Sequence, residues 1–217
     1  LIVILSAFSN VTDNLNNIPC LLFEDFNTTG LLGDPYTQKS VIKGKRNDFH
    51  AFWWSIFSKN KGQGKGGSVG VGRLVFAFSS EIQTFFSFSV PYDNSKGKKL
   101  FLGLSVLGDS IDETGNTEDP FARFGARGKM NNGAEGTLPI FDENILKDYH
   151  SKFKLKREFN EPGLSMIVPF PSKDLCQWDN LYKNLISRYR YAIINDQVEI
   201  EVNQKTISKN TIIEFVK

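Results

Sequence analysis

The chain has 217 residues, of which 40% are hydrophobic and 23% are charged, and its formal net charge is +2. A chain of this length and apolar content can bury a core, which excludes a disordered tail and a collagen-like fibre. No apolar run approaches the ~18 residues of a transmembrane helix, so no membrane span is predicted. Two cysteines, Cys20 and Cys176, do not make a disulfide scaffold, and a reducing, cytoplasmic location is therefore expected.

The first part of the chain has two apolar runs, 1–8 and 18–23, which predict buried strands joined by a turn-rich linker. Three Gly/Pro breakers between Asp25 and Pro35 predict a loop directly after the second strand. The chain begins with Leu, already in a strand pattern and without Met, so we expect it to be a piece of a longer protein.

The middle of the chain combines helix and strand signals. The aromatic-rich segment 49–57 predicts a short helix capped by Asp48, and segment 72–82 predicts a second helix. The apolar segments 84–90 and 99–107 predict two strands that are linked by a turn cluster.

The last part of the chain opens with segment 108–137, which is rich in Gly, Asn, Asp and Glu and predicts a surface insertion. Segment 142–153 predicts a helix, and segment 163–170 predicts a strand. The range 179–217 is predicted to hold a helix capped by Asp179 and then a hairpin.

These elements together predict one α+β domain over 1–217, and no internal repeat is visible. We expect a two-layer α/β sandwich in which helices cover one face of a mostly antiparallel mixed sheet. Because side chains alternate along a strand, Glu24 is expected to point away from Asp25 and to be solvated.

The charge is unevenly distributed along this sequence. Eight basic residues and a single acid, Asp48, lie between Lys39 and Arg73, and six glycines lie between positions 62 and 72. Such a segment can bring backbone N–H groups and positive charge to an anion, or it can form a flexible solvated loop. The composition alone leaves both interpretations open.

Several kinds of catalytic site are poorly supported. Neither His50 nor His150 lies in a Gly-x-Ser-x-Gly or Cys-plus-His context that would indicate a nucleophile. No close Cys/His spacing indicates zinc, and no Gly-x4-Gly-Lys-[Ser/Thr] motif indicates the phosphate loop of NTPases.

Two segments stand out together. The first, 23–35, reads Phe-Glu-Asp-Phe-Asn-Thr-Thr-Gly-Leu-Leu-Gly-Asp-Pro and places a carboxylate before a glycine loop. The second, 66–73, reads Gly-Gly-Ser-Val-Gly-Val-Gly-Arg and precedes a predicted helix. The pair resembles the two glycine boxes of the GHKL superfamily of ATP-binding domains, which includes gyrase, histidine kinases, MutL and MORC ATPases. The motifs look most like those of MORC-related bacterial ATPases of mobile-element and defence gene clusters.

The resemblance implies a Bergerat-type fold and a site for ATP. Asp25 would accept a hydrogen bond from the adenine amino group, and 34–66 would form a mobile ATP lid. Asn27 and Thr28 stand where many members have the first glycine of the first box. The full set of residues that the resemblance assigns to the nucleotide comprises Asp25, Asn27, Thr28, Gly30, Gly33, Gly67, Ser68, Gly70, Val71, Gly72 and Arg73.

The resemblance also implies what this chain does not contain. The family holds Mg²⁺ and activates water with an Asn and a Glu on a helix upstream of the first strand, and the only Glu-x3-Asn here is Glu199–Asn203 in a strand pattern. Hydrolysis by this chain alone is expected to be weak or absent, although the intact parent would be an ATP hydrolase. ATP would drive homodimerisation of that parent, which could also contact nucleic acid.

A different class of function remains as the alternative. The basic glycine-rich loop would then contact nucleic-acid phosphates in a non-catalytic binding module, and its binding would fall steeply with salt. A scaffold that keeps the fold without any ligand is the third possibility.

Overall fold

The protein is α+β, and its structure is a computed structural model that describes the backbone of 2–9 and residues 18–54, 72–94, 97–108, 115, 119–173 and 177–215. Within these ranges an eight-stranded sheet has the order β12-β11-β1-β2-β10-β5-β6-β7. Its strands are β1 (Ile2–Ser9), β2 (Pro19–Phe26), β5 (Thr84–Val90), β6 (Leu100–Val106), β7 (Phe121–Phe124), β10 (Gly163–Pro169), β11 (Glu199–Val202) and β12 (Lys205–Ile207).

Strand β2 lies at the centre of the sheet, antiparallel to both β1 and β10. All neighbouring pairs are antiparallel except β1 and β11, which are parallel, so the expected mostly antiparallel mixed sheet is confirmed. The register places Glu24 opposite Ser165 of β10. The end of β2 therefore lies beside the beginning of β10.

The helices lie on both faces of the sheet, which corrects the expectation that they cover one face. Helices α1 (Asp48–Trp53) and α2 (Leu74–Phe78) pack with Leu21 of β2 in one core cluster. Helix α3 (Glu143–Lys152) packs with Leu22 in another. Adjacent residues of a strand point to opposite faces, and both faces of the central strands are apolar, so both need a cover.

The C-terminal part of the described chain forms a third core cluster. Helix α4 (Trp178–Ile194) packs with a 3-10 helix, Ile212–Phe215, against the hairpin of β11 and β12. This helix begins at Trp178, and Gln177, at the N-cap, makes no side-chain capping bond, whereas Asp179 was predicted as the cap. The predicted hairpin is confirmed.

Local structure near the first glycine box differs from the sequence-based expectation in two ways. Strand β2 continues to Phe26, so Asp25 lies within the strand and not in the loop after it. The cap of α1 is Asn47, whose side chain accepts from the backbone N–H of His50 at 3.2 Å, and not Asp48.

Segment 108–137 contains regular structure in its described part. It includes the whole of β7 at the edge of the sheet and a hairpin of β8 (Ala126–Lys129) and β9 (Glu135–Leu138), of which only Leu138 lies beyond the segment. At the tip of this hairpin, Asn131 donates its backbone N–H to the carbonyl of Tyr36 at 2.8 Å. The insertion therefore contacts the segment that follows the first glycine box.

The predicted lid, 34–66, is described only as far as residue 54. That part contains α1 and a short hairpin of β3 (Val41–Ile42) and β4 (Lys45–Arg46). Phe49 and Trp53 of α1 are buried in the core of the domain. The aromatic run of this segment is thus part of the core, and the lid stays a prediction.

Candidate functional site

Asp25 presents a carboxylate near the end of the central strand. It shares a strand face with Leu21, four positions earlier, and this is the face against which α1 packs. Its Oδ1 atom accepts from the backbone N–H of Leu164 at 2.6 Å and from the hydroxyl of Thr28 at 2.8 Å. Within the described residues Oδ2 makes no hydrogen bond, and the side chain is 34% exposed. Asp25 therefore offers one free acceptor oxygen.

The loop after β2 is shaped by its glycines. Gly30 has φ +64°, and a Cβ there would overlap the backbone carbonyl oxygen of Val90. Gly33 has φ +117°, and a Cβ there would overlap the side chain of Asn47, the cap of α1. Both positions combine a left-handed backbone with a close approach, so only glycine fits without strain. These glycines fix the loop against β5 and α1 and thereby hold Thr28 over Asp25.

A cleft of about 330 Å³ opens beside this carboxylate. One wall is the loop after β2, and the opposite wall is the outer side of α1 with the exposed Arg46–Asp48 ion pair near its beginning. The lining residues are Asp25, Thr28, Thr29, Gly30, Leu31, Arg46, Asp48, Ala51, Phe52 and Leu164. The cleft thus combines apolar surfaces with a few polar groups at the strand end, which is the usual character of a small-molecule site.

Glu24 is buried, which corrects the expectation that it is solvated. It is 1% exposed, and its carboxylate accepts from the hydroxyl of Ser165 at 2.9 Å and from the backbone N–H of Lys156 at 2.9 Å. Arg157, also 1% exposed, donates from Nε to the same Ser165 hydroxyl at 2.6 Å. The two charges form a buried ion pair, with 3.7 Å between Arg157 Nε and Glu24 Oε1.

Arg157 connects this buried pair to Asp25. Its Nη2 donates to the backbone carbonyl of Asp25 at 2.6 Å and lies 3.7 Å from Asp25 Oδ1. Burial lowers the pKa of Arg157, and the nearby charges of Glu24, Asp25 and Glu161 act in the opposite direction. Arg157 is therefore a cation that three carboxylates surround.

Arg73 is a second buried arginine, next to α2, and it lacks such partners. It is 6% exposed, and its Nη1 donates to the backbone carbonyl of Ala51 at 3.0 Å. Its Nε and Nη2 are buried, and no described residue forms a hydrogen bond with either atom. Burial, and then the charge of Arg123, lowers the pKa of Arg73 to about 10. Because Ala51 also lines the cleft, Arg73 and Asp25 both lie against α1.

The residues of the two predicted boxes are only partly described. Gly67, Ser68, Gly70 and Val71 lie outside the described residues, so the structure says nothing of the larger part of the second box. Gly72 is exposed and precedes Arg73 directly, and a Cβ added there would meet no atom of the described residues within 4 Å. Asn27 has a left-handed backbone, φ 59°, and is not among the residues that line the cleft.

The sequence-based reasoning missed Arg157 and the α1 wall of the cleft. Arg157 is 132 residues away from Asp25 in the chain, and only the pairing of β2 with β10 brings them together. One signal was present. Two adjacent carboxylates in an apolar strand point to opposite faces, and both faces of a central strand are covered, so a buried cation is required nearby.

Comparisons with known proteins do not assign this chain to a family: no family model matches it, and no curated protein matches it significantly. In the part of the chain that the structure describes, no helix is both long and apolar enough to cross a membrane. Over the same residues, no group of three His, Cys, Asp or Glu side chains is arranged to hold a metal ion.

Proposed function

We propose that this domain binds an adenine nucleotide, with ATP as its physiological ligand, in the cleft beside Asp25. The observation that carries the proposal is the free Oδ2 acceptor of Asp25 at the end of β2, in a cleft that the glycine loop and α1 form. The exocyclic amino group of adenine is a donor, whereas guanine has an acceptor oxygen at the same place. A carboxylate acceptor at this place therefore favours adenine.

The size and the lining of the cleft support this proposal. Its volume of about 330 Å³ lies at the lower end of the range of about 300–1,000 Å³ that small-molecule sites span. Leu31, Phe52 and Leu164 supply apolar surface for the two faces of a purine ring. The hydroxyls of Thr28 and Thr29 add polar groups next to Asp25.

Arg73, which donates to the carbonyl of Ala51 in α1, supports a phosphate position near that helix. A buried guanidinium with two unpaired donors is energetically unfavourable unless a ligand supplies acceptors, and phosphate oxygens bind guanidinium groups well. The resemblance of 66–73 to a second glycine box points to the same role. Following the resemblance, the ligand for Mg²⁺ would come from the upstream helix and not from these residues.

Calorimetry with ATP, ADP and GTP tests the proposal. We expect ATP to bind more tightly than GTP, and Asp25→Asn to weaken ATP binding by about 1–3 kcal/mol because the acceptor for the amino group of the base is altered. Asp148→Asn, on the exposed side of α3 and on the opposite face of the sheet, is the matched control and should bind ATP as the wild type does. Equal ATP affinity of a folded Asp25→Asn variant would contradict the assignment.

The biological setting is part of the proposal as well. Following the resemblance, the domain would act as a nucleotide-driven switch of a larger GHKL- or MORC-like ATPase, which dimerises when ATP is bound. A cytoplasmic location agrees with the buried free thiol of Cys20. Size-exclusion chromatography with light scattering, with and without ATP, tests the dimer.

Nucleic-acid phosphate binding is the second candidate, and a second cleft favours it. This cleft of about 670 Å³ is lined by four basic residues of the β3–β4 hairpin and its surroundings, Lys43, Lys45, Arg46 and Lys98, and by two acidic residues, Asp34 and Asp48. If it holds a phosphate backbone, the affinity for oligonucleotides falls steeply between 50 and 200 mM salt. Adenine-nucleotide binding at the Asp25 cleft would show no comparable preference for polyanions.

A further inference from the structure

We propose that Arg157 is a positioning residue that fixes the Asp25 carboxylate for recognition of the base; this role rests on the proposed nucleotide-binding function. No motif in the sequence identifies Arg157, and it does not line the cleft. It acts from behind the strand, through the buried contacts that hold Asp25.

The first step is the close contact between Arg157 and the end of β2. The guanidinium donates to the Asp25 carbonyl at 2.6 Å, and Arg157 Cζ lies 5.1 Å from the centre of the Phe26 ring. Gly163, with φ +144°, permits this approach, because a Cβ there would overlap Arg157 Nη1 and lie within contact of Asp25. The backbone and the carboxylate of Asp25 thus pack directly against the cation.

The second step is the anchoring of Arg157 itself. Its Nε donates to Ser165 Oγ, which in turn donates to Glu24, and Glu24 also accepts from the backbone N–H of Lys156. The side chains of Arg157 and Glu24 are fully buried. Each of these donors faces an acceptor. This buried network of hydrogen bonds therefore has one arrangement and holds the guanidinium in place.

The third step is the consequence for the free oxygen of Asp25. Oδ1 accepts hydrogen bonds from the Leu164 N–H and the Thr28 hydroxyl, and the positively charged Nη2 of Arg157 lies nearby. Together these fix which oxygen is occupied and leave Oδ2 directed away from them. Without Arg157 the Asp25 carboxylate can rotate, and either oxygen can then accept from Leu164 and Thr28. The amino group of the base loses the acceptor that was held in a fixed position.

The experiment compares two nucleotides that differ only at the group that Asp25 is proposed to read. ATP carries the 6-amino group, and purine riboside triphosphate lacks it but has the same ribose and phosphates. Calorimetry of the wild type is expected to show ATP binding at least about tenfold more tightly, the usual effect of a hydrogen bond to a charged group.

In Arg157→Met this preference is expected to fall to less than about threefold, through loss of ATP affinity and with the affinity for the purine analogue retained. Arg157→Lys keeps the charge and should restore part of the preference. Ser165→Ala is a milder change that removes the hydrogen-bond partner of Arg157 Nε, and it should also reduce the preference for ATP. This variant replaces Arg157→Met in the experiment if Arg157→Met does not fold. Ser87→Ala is the matched control, because Ser87 is equally buried and its hydroxyl has no hydrogen-bond partner among the described residues.

Each outcome decides between the roles. A loss of affinity for both nucleotides to the same extent, or an unchanged preference in the folded Arg157 and Ser165 variants, would overturn the positioning role and leave the proposed function intact. A wild type that binds neither nucleotide, or that binds both equally, would overturn base recognition by Asp25 and the role of Arg157 with it.

Discussion

Two buried arginines of this domain, Arg157 and Arg73, have nearly the same exposure, 1% and 6%, but opposite surroundings. Arg157 lies among carboxylates, and its guanidinium donates to Ser165, Glu161 and Asp25. Among the residues that the structure describes, Arg73 makes one hydrogen bond, to a backbone carbonyl, and the charge of another cation, Arg123, contributes to lowering its pKa.

Under the proposed function, this difference separates the roles of the two arginines. Burial lowers the pKa of both, but carboxylates oppose the effect at Arg157, whereas Arg123 adds to it at Arg73. Removing one member of a buried, paired set of charges is strongly destabilising, because it leaves the other charge without a partner. A buried charge with unpaired donors is unfavourable for the free domain, and its presence is explained when a ligand anion completes it. We therefore regard Arg157 as internal support and Arg73 as directed to the ligand.

The largest expected effect is on stability, in Arg157→Met. Removal of this cation leaves Glu24 buried without its ion pair, and we expect the free energy of unfolding to fall by about 3–5 kcal/mol. Urea denaturation followed by circular dichroism measures this. The control is Arg127→Met, which breaks the exposed pair with Glu135 and should cost less than about 1 kcal/mol. Equal losses in the two variants would mean that the buried network does not support the fold.

The next prediction compares a glycine beside each arginine. Gly163→Ala places a Cβ against Arg157 and Asp25 at a left-handed φ, and should lower the free energy of unfolding by about 2–3 kcal/mol. Gly72→Ala, beside Arg73, meets no atom within 4 Å and should change it by less than about 1 kcal/mol. Its effect should instead appear in ATP affinity, if the backbone there approaches a phosphate. If urea denaturation shows that Gly72→Ala is the more destabilising of the two variants, the contrast between the surroundings of Arg157 and Arg73 is wrong.

Arg73→Met should separate binding from stability. Loss of a charged donor to phosphate is expected to weaken ATP binding by about 1.5–3 kcal/mol. The free energy of unfolding should stay the same or rise, because a buried charge with unpaired donors is removed. Calorimetry and urea denaturation of the same preparation measure the two quantities. A variant that loses stability and keeps its ATP affinity would make Arg73 a structural residue like Arg157.

The smallest effect is on a titration. Burial, and then the charge of Arg73, lowers the pKa of His50 below its ordinary value. Arg73→Met should therefore raise the pKa of His50 towards that value, with burial still keeping it lower. A histidine whose pKa is lowered by folding binds fewer protons in the folded state, so it contributes a loss of stability as the pH falls below about 6.5. The variant should reduce this loss.

Proton NMR titration of the two histidines follows the change, and His150, on α3, provides the reference signal. An unchanged His50 titration in the variant would show that the charge of Arg73 does not reach α1.

The sequence determined most of the elements by itself, because their signals are local. The alternating pattern of β11 with the turn after it, the apolar runs of β5 and β10, and the Asp142 cap of α3 are all properties of a few adjacent residues. The position of Asp25 next to a glycine loop was visible in the same way, and the structure places both beside one cleft.

Only the tertiary structure decided which charges are buried and which elements face each other. Glu24 looked solvated because its partner Arg157 is 133 residues away, and β2 must pair with β10 before they meet. The placement of helices on both faces follows from how a strand that is apolar on both sides is covered, and several distant segments could provide that cover. Periodicity and turn chemistry act over a few residues, whereas charge pairing and layer order depend on contacts between segments far apart in the chain.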